Sequence, residues 1–271
     1  MKRILLIGDI VGCGKLGMSA MIPILSKMKY DVCRLPSSIV SNNFCYGEFA
    51  VLDTTDYLCK SIEIWEKLDF YADAVATGYL VSEKQTKIVA DYCSLLKQRG
   101  TKIFVDPIMA DDGKLYNGAT EKTVEYMREI CCVADIMVPN FTEAKFLANK
   151  YLDKNSLSND EALDLAKILF SLGGATVVIT SMVVNNENCT LLFDSETERF
   201  ELFKYDRIPV QFSGTGDVFL SILLGQYLRG VEVKDSVVNA MNFVSEMIKR
   251  NASYANPSNG IPIEMYLNEV E

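Results

Sequence analysis

The stretch Phe212-Ser213-Gly214-Thr215-Gly216-Asp217-Val218-Phe219 decides how the rest of the chain is read. Two glycines and a threonine stand directly before a carboxylate. An apolar run at helical spacing follows it: Val218, Phe219, Ile222, Leu223, Leu224, Tyr227 and Leu228. The pattern predicts a glycine-rich turn that feeds the N-terminus of an amphipathic helix. Glycine lets backbone N–H groups converge on one point with no side chain in the way. The helix start adds unpaired N–H groups and a partial positive charge. Such a turn suits a phosphate or an anionic transition state. It equally suits a plain tight turn with an acid in the first helical turn, and the stretch alone does not choose. At a helix N-terminus Asp217 is expected to have a lowered pKa, which makes it a weak base.

Upstream, apolar runs at 2–7, 31–35, 74–77, 102–105, 135–138 and 176–179 read as strands. Between them lie helical patterns at 22–28, 53–68, 82–98 and 120–131, a helix opening at Thr142-Glu143, and one over 158–172. Ser82-x-x-Gln85 and Ser158-x-x-Glu161 are capping boxes. Short antiparallel strands are expected near 190–193 and 199–203, and a last helix over 233–249. The alternation predicts an α/β fold, with a mostly parallel sheet flanked by helices. No composition break divides residues 1–271, so a single domain is expected. Residues 37–50 are polar and read as a loop; 108–118 read as a mobile loop.

Gly12-Cys13-Gly14-Lys15-Leu16-Gly17 matches the glycine spacing of a dinucleotide site, but no acidic residue closes the second strand. A phosphate loop fails too: the spacing from Gly8 to Gly14-Lys15 has one residue too many, and Leu16 lacks a hydroxyl. The segment is read as a turn that accommodates a substrate or a helix, or as a plain structural turn. Asp9, Tyr79, Asp106, Asn140, Thr180 and Ser181 are all expected at or just beyond the C-terminal ends of strands. In open parallel sheets ligands bind at that edge.

Composition narrows the chemistry. Lys+Arg 27 against Asp+Glu 36 gives a net charge of −9, which argues against nucleic acid or an anionic membrane as the main partner. The N-terminal apolar run is too short for a signal-peptide core, and no run approaches a membrane span. The eight cysteines are scattered with no C-x-x-C pair, which points to a reducing cytoplasm rather than a disulfide framework or zinc site. There is no histidine. Ser-His-Asp and Cys-His chemistry are thereby excluded, and proton transfer falls to a carboxylate, Lys, Tyr or Cys. Asp217 becomes the leading base candidate.

Gly214-Thr215-Gly216-Asp217, taken with Asn140-Phe141-Thr142-Glu143 and Asp106-Pro107-Ile108-Met109, resembles the ribokinase superfamily. The finer resemblance is to its vitamin B6 branch, the pyridoxal, pyridoxine and pyridoxamine kinases. Residues 106–116 look like the lid stretch of those kinases, and Val178-Ile179-Thr180-Ser181 like their nucleotide-facing strand end. Thr77-Gly78-Tyr79-Leu80 and residues 41–47 look like segments that hold the pyridine ring. The resemblance implies a ribokinase-like αβα sandwich. It also implies ATP-dependent phosphorylation of the 5'-hydroxymethyl group of a B6 vitamer. Asp217 would be the base, and the backbone N–H groups of Gly214, Thr215 and Gly216 the anion hole. Asn140, Glu143, Thr180, Ser181 and Asp111 would serve the nucleotide. Asp106 and Glu143 would serve Mg²⁺, and Asp9, Ser41, Asn43 and Tyr79 the substrate. ATP and Mg²⁺ are the implied cofactors, with K⁺ the candidate monovalent cation, and a cytoplasmic homodimer the implied assembly. The chain departs from the family pattern at Asp9, Asn43, Phe44, Ala110 and Ser213, which leaves ring preference open. Hydroxymethylpyrimidine kinase, a sister activity, is one alternative; a non-catalytic pyridoxal phosphate or nucleotide binder is another.

Overall fold

The alternation of apolar runs and helical patterns folds as α/β in the computed structural model, which describes residues 1–254 and 256–270. The first elements are β1 (Arg3–Cys13), α1 (Met18–Lys27), β2 (Asp31–Asn42), β3 (Val51–Asp53), α2 (Thr55–Lys67) and β4 (Ala74–Thr77). Then come α3 (Glu83–Gln98), β5 (Lys102–Val105), β6 (Ala110–Asp111), β7 (Lys114–Leu115), α4 (Glu121–Cys131), β8 (Ile136–Met137) and α5 (Phe141–Ala148). The order closes with α6 (Asn159–Gly173), β9 (Thr176–Val184), β10 (Glu187–Phe193), β11 (Phe200–Lys204), α7 (Thr215–Leu228) and α8 (Val233–Arg250). The chain divides into two compact units, Met1–Val81 with Ile208–Glu271, and Ser82–Arg207.

In the first unit the strand order is β4-β1-β2-β3, parallel except for β3. The pairing of β1 with β2 runs from Arg3↔Asp31 to Cys13↔Asn42, with a register shift between Gly8 and Asp9. β4 pairs only with Ile4 to Ile7, so β1 continues six residues past it. Two expectations fall here. Asp9 is not beyond the end of β1 but inside it, and the first part of the expected loop at 37–50 is the far half of β2. Ser38, Ile39 and Val40 pair with Asp9, Ile10 and Val11 on one side and with β3 on the other. Pairing on two sides overrides the polar composition of the segment.

The expected amphipathic helix is α7, and it is not amphipathic. Ten of its residues are buried, from Asp217 through Gly225 to Leu228, and they cover every face. A helix apolar all round belongs inside, and α7 lies against α1 and α8. Its one buried hydroxyl, Ser221 Oγ, donates to the Asp217 carbonyl at 2.7 Å, so it needs no outside partner.

In the second unit the order is β11-β10-β9-β8-β5. β5, β8 and β9 are parallel; β10 and β11 add antiparallel at the edge. Ser82 and Ser158 cap α3 and α6 as their sequence signals predict. Thr180 and Ser181 lie within β9 rather than at its end, because β9 runs on to Val184 to pair with β10. Residues 108–118 are not a free loop. β6 and β7 form a small hairpin there, and Met109 and Ala110 are buried. Among the described residues no helix is long and apolar enough to cross a membrane.

Leu223 stands in the middle of α7 with none of its surface exposed. Leu223→Ala is expected to cost about 2–5 kcal/mol of stability. Urea unfolding measures it, and a loss below 1 kcal/mol would contradict a fully packed α7.

Candidate active site

In the first unit the site is built where β1, the connection 12–17 and the start of α7 meet. Gly17 donates its N–H to Asp217 Oδ2 at 2.8 Å. Gly17 has φ 52°, and a side chain on it would come within 2.5 Å of Asp9 Oδ1. One glycine therefore touches two carboxylates, and no residue with a Cβ fits. Gly214 is the N-cap of α7 with φ 79°. A Cβ there would stand 2.1 Å from the Lys15 carbonyl oxygen. So the glycines of the two loops allow one close backbone approach. The start of α7 leaves the N–H groups of Thr215 and Gly216 without an acceptor among the described residues. These are the first N–H groups of a helix, which favour an anion.

Asp217 and Asp9 are each 9% exposed. Burial, joined by repulsion from Asp9, lifts the Asp217 carboxyl from 3.8 to about 7; the Gly17 N–H pulls the other way and loses. Burial lifts Asp9 to about 6. This corrects the expected lowering of the Asp217 pKa. Its position in the first turn of a helix is as expected, but desolvation and a like charge outweigh the dipole.

The other substrate candidates divide. Asn43 is 7% exposed and its side chain is fully engaged by the protein. Nδ2 donates to Ser213 Oγ at 2.8 Å and to the Ser258 carbonyl at 2.7 Å, and Oδ1 accepts from the Cys45 N–H. It ties the 3-10 turn Phe44–Tyr46 to the segment just before Gly214. Ser41 is exposed and closes its own loop, donating to Asn42 Oδ1 and accepting from the Ala50 N–H. Tyr79 follows β4; its ring meets Phe44 edge-on at 5.7 Å, and its carbonyl accepts from Ser37 Oγ.

In the second unit Glu143 is 2% exposed and is the N3 residue of α5. Oε2 accepts from the Asn140 N–H at 2.9 Å; Oε1 accepts from the N–H groups of Met109 at 3.1 Å and Ala110 at 3.4 Å. Asn140 completes the frame, accepting from the Glu143 N–H and donating from Nδ2 to the Ala110 carbonyl. Thr142 Oγ1 accepts from the Gly113 N–H. The hairpin β6–β7 is thus hung from the first turn of α5. Burial lifts the Glu143 carboxyl to about 8 against the pull of the three amides, and Asp111 adds to the rise. Asp106 lies just beyond β5, 9% exposed. Thr180 donates its N–H to the Pro139 carbonyl, and Ser181 takes φ 56° beside Tyr205, whose burial raises its pKa.

Among the described residues no three His, Cys, Asp or Glu side chains gather into a metal cage. Mg²⁺ does not require one, since it keeps several waters and binds through one or two carboxylates plus substrate phosphates. Asp106 suits that role. Both oxygens of Glu143 are held by amides, so Glu143 suits it only through a water.

Gly17, Lys15 and Tyr205 did not emerge as functional candidates from the sequence. The spacing of Gly14 and Gly17 was the available signal for the first two; nothing local marked Tyr205.

Gly17→Ala is expected to fold less stably and to lose most activity, because the new Cβ displaces Asp9, Asp217 or both; turnover and melting temperature together check this. A second expectation concerns pH. The folded pKa values of Asp9 and Asp217 lie above the unfolded 3.8, so the folded state holds extra protons between about pH 4 and 7. The stability they contribute is fully present below pH 4 and is lost as pH rises through 6 and 7. Asp217→Asn should therefore be more stable than the parent above pH 7, with the gain shrinking toward pH 4 in melting curves.

The phosphomethylpyrimidine kinase family model matches residues 26–261. The chain is 32% identical to the pyridoxal kinase of Arabidopsis thaliana over 221 residues, 76% of this chain and 68% of that protein. It is 27% identical to the pyridoxal kinase PdxY of Burkholderia orbicola over 264 residues, 92% of this chain and 88% of that one. In structure it is similar to a Bacteroides thetaiotaomicron protein assigned as a phosphomethylpyrimidine kinase and crystallised with pyridoxal. That match has a TM-score of 0.94 and 31% identity over 99% of this chain and 95% of the other. With the family model matched over most of its length and these relatives beside it, the chain belongs to the phosphomethylpyrimidine kinase family, in the vitamin B6 kinase branch of the ribokinase superfamily.

Proposed function

We propose that this kinase, acting as one domain over 1–271, transfers the γ-phosphoryl group of ATP to the 5'-hydroxymethyl group of a B6 vitamer. One observation carries the assignment. A buried Asp217 stands in the first helical turn, next to two N–H groups with no acceptor among the described residues, and burial lifts its carboxyl to about 7. A base poised near the working pH can take the hydroxyl proton, and open N–H groups can take the charge that develops on phosphate. The chain has no histidine to compete for the first role.

The remaining roles follow the family pattern. Gly214 lets Lys15 approach, and so sets the loop whose Thr215 and Gly216 N–H groups serve as the anion hole. Asp9 and Tyr79 face the ring. Ser41 and Asn43 shape that region; the saturated amide of Asn43 makes it a brace for Ser213 rather than a ring ligand. Asn140, Asp111, Thr180 and Ser181 serve the nucleotide. Asp106, with Glu143 through water, serves Mg²⁺, which supplies charge neutralisation at the phosphates when bound. A homodimer in the cytoplasm is the assembly this reading carries, on the family pattern and on eight unpaired cysteines.

The family model is that of a phosphomethylpyrimidine kinase, which gives a second reading, phosphorylation of hydroxymethylpyrimidine on the same machinery. A coupled ADP-release assay across pyridoxal, pyridoxamine, pyridoxine and hydroxymethylpyrimidine separates the two. Turnover is expected with at least one vitamer. ADP release with the pyrimidine alone would replace the first reading by the second, and none with any alcohol would leave a binder. Asp217→Ala should fold and lose at least about 10²-fold in kcat, comparable to losing an anion-hole donor; retained turnover would remove Asp217 as base.

A further inference from the structure

Asp9 is a buried carboxylate that no cation among the described residues neutralises. It sits at the register shift in β1, 9% exposed. Among the described residues no cation and no side-chain donor meets it, and only its own backbone N–H offsets the loss of water. An unpaired buried charge is costly, and a ring contact alone is available to a neutral side chain. The groups around it are few. Ser38 pairs with it from β2, and the first turn of α1 holds no acid. Lys15 of the connection is spent on Glu264 of the 3-10 turn Ile263–Met265. The first turn of α7 holds one acid, Asp217. Gly17, the residue in touch with both, is the thinnest spacer a chain can place between them.

We propose that Asp9 is a positioning residue for proton transfer: its charge, held across Gly17 from Asp217, keeps Asp217 basic enough at neutral pH to accept the substrate hydroxyl proton. In the step, the substrate O–H bond breaks and its proton goes to the Asp217 carboxylate. The freed oxygen pair forms the bond to the γ-phosphorus. The bond from that phosphorus to the bridging oxygen breaks, and ADP leaves with the pair. With Asp9 neutral, Asp217 would keep only the burial contribution, and the helix start and the Gly17 N–H would count for more against it. Two like charges at one glycine ionise as a pair, so the first proton leaves more easily than the second.

The proposal rests on the kinase reading above, and the test keeps the two apart. The pH dependence of kcat/KM is measured for the parent and for Asp9→Asn with the vitamer turned over fastest. The acid limb is expected to move to lower pH by about one unit, with kcat falling on the plateau. An acid limb that stays in place while KM rises makes Asp9 a ring contact only and overturns the proposal. If Asp9→Asn does not fold, carboxyl carbon NMR of the parent enzyme without substrate decides, with Asp217→Asn used for assignment. Two mutually dependent titrations well above the ordinary carboxylate range support the coupling; two independent titrations near that range overturn it. No ADP release by the parent at any pH sinks the kinase reading, while the NMR titration still judges the pair.

Discussion

The contact from the Gly17 N–H to Asp217 Oδ2 is the constraint on which the first unit depends. To place that N–H, β1 must run six residues past β4 and turn at Cys13, and α1 must start at once at Met18. To meet it, α7 must start at Gly214, whose missing side chain admits the Lys15 carbonyl. Asn43, itself held by the Ser258 carbonyl, then braces the residue just before, Ser213. The result is two acids held out of water with no cation among the described residues beside either. That arrangement works against folding at neutral pH, which is the usual sign of a group kept for chemistry rather than for stability.

Glu143 shows the opposite outcome from nearly the same starting point. Both Glu143 and Asp217 are N3 residues of their helices. Both are buried, and both are raised in pKa by desolvation. Glu143 has the extra methylene to reach back to its own N-cap, and Asn140 is there to close the box. It collects three amides and hangs a hairpin from the helix. Asp217 follows a glycine cap with no side chain to answer it, and takes a single amide from a distant part of the chain. One carboxylate has both oxygens held by amides of the fold, and the other takes only one amide from another part of the chain.

Much of the fold was readable. Ser82 and Ser158 announced α3 and α6, because capping is local and needs only three residues to state itself. The apolar runs of β4 and β5 were read at their true ends. The misreadings share a cause. Residues 37–42 looked like loop, yet they are strand because β1 and β3 pair with them from both sides. Residues 108–118 looked free, yet Glu143 and Thr142 hold them. α7 looked amphipathic because Ser221, Gly225 and Gln226 interrupt its apolar run, yet Ser221 and Gly225 are buried along with Leu220 and Leu223.

The sequence by itself determined the list of groups able to do the chemistry. The absence of histidine narrowed proton transfer to a carboxylate, Lys, Tyr or Cys, and the Gly-Thr-Gly-Asp order set one such carboxylate in the first turn of a helix. Helix phase and side-chain chemistry are local, so they can be read from spacing. Only the tertiary structure decided what kind of acid Asp217 is. Its charge is governed by burial and by Asp9, a residue 208 positions away along the chain but one glycine away in space. Desolvation and like-charge repulsion depend on distance through the fold, and no spacing in the sequence carries them.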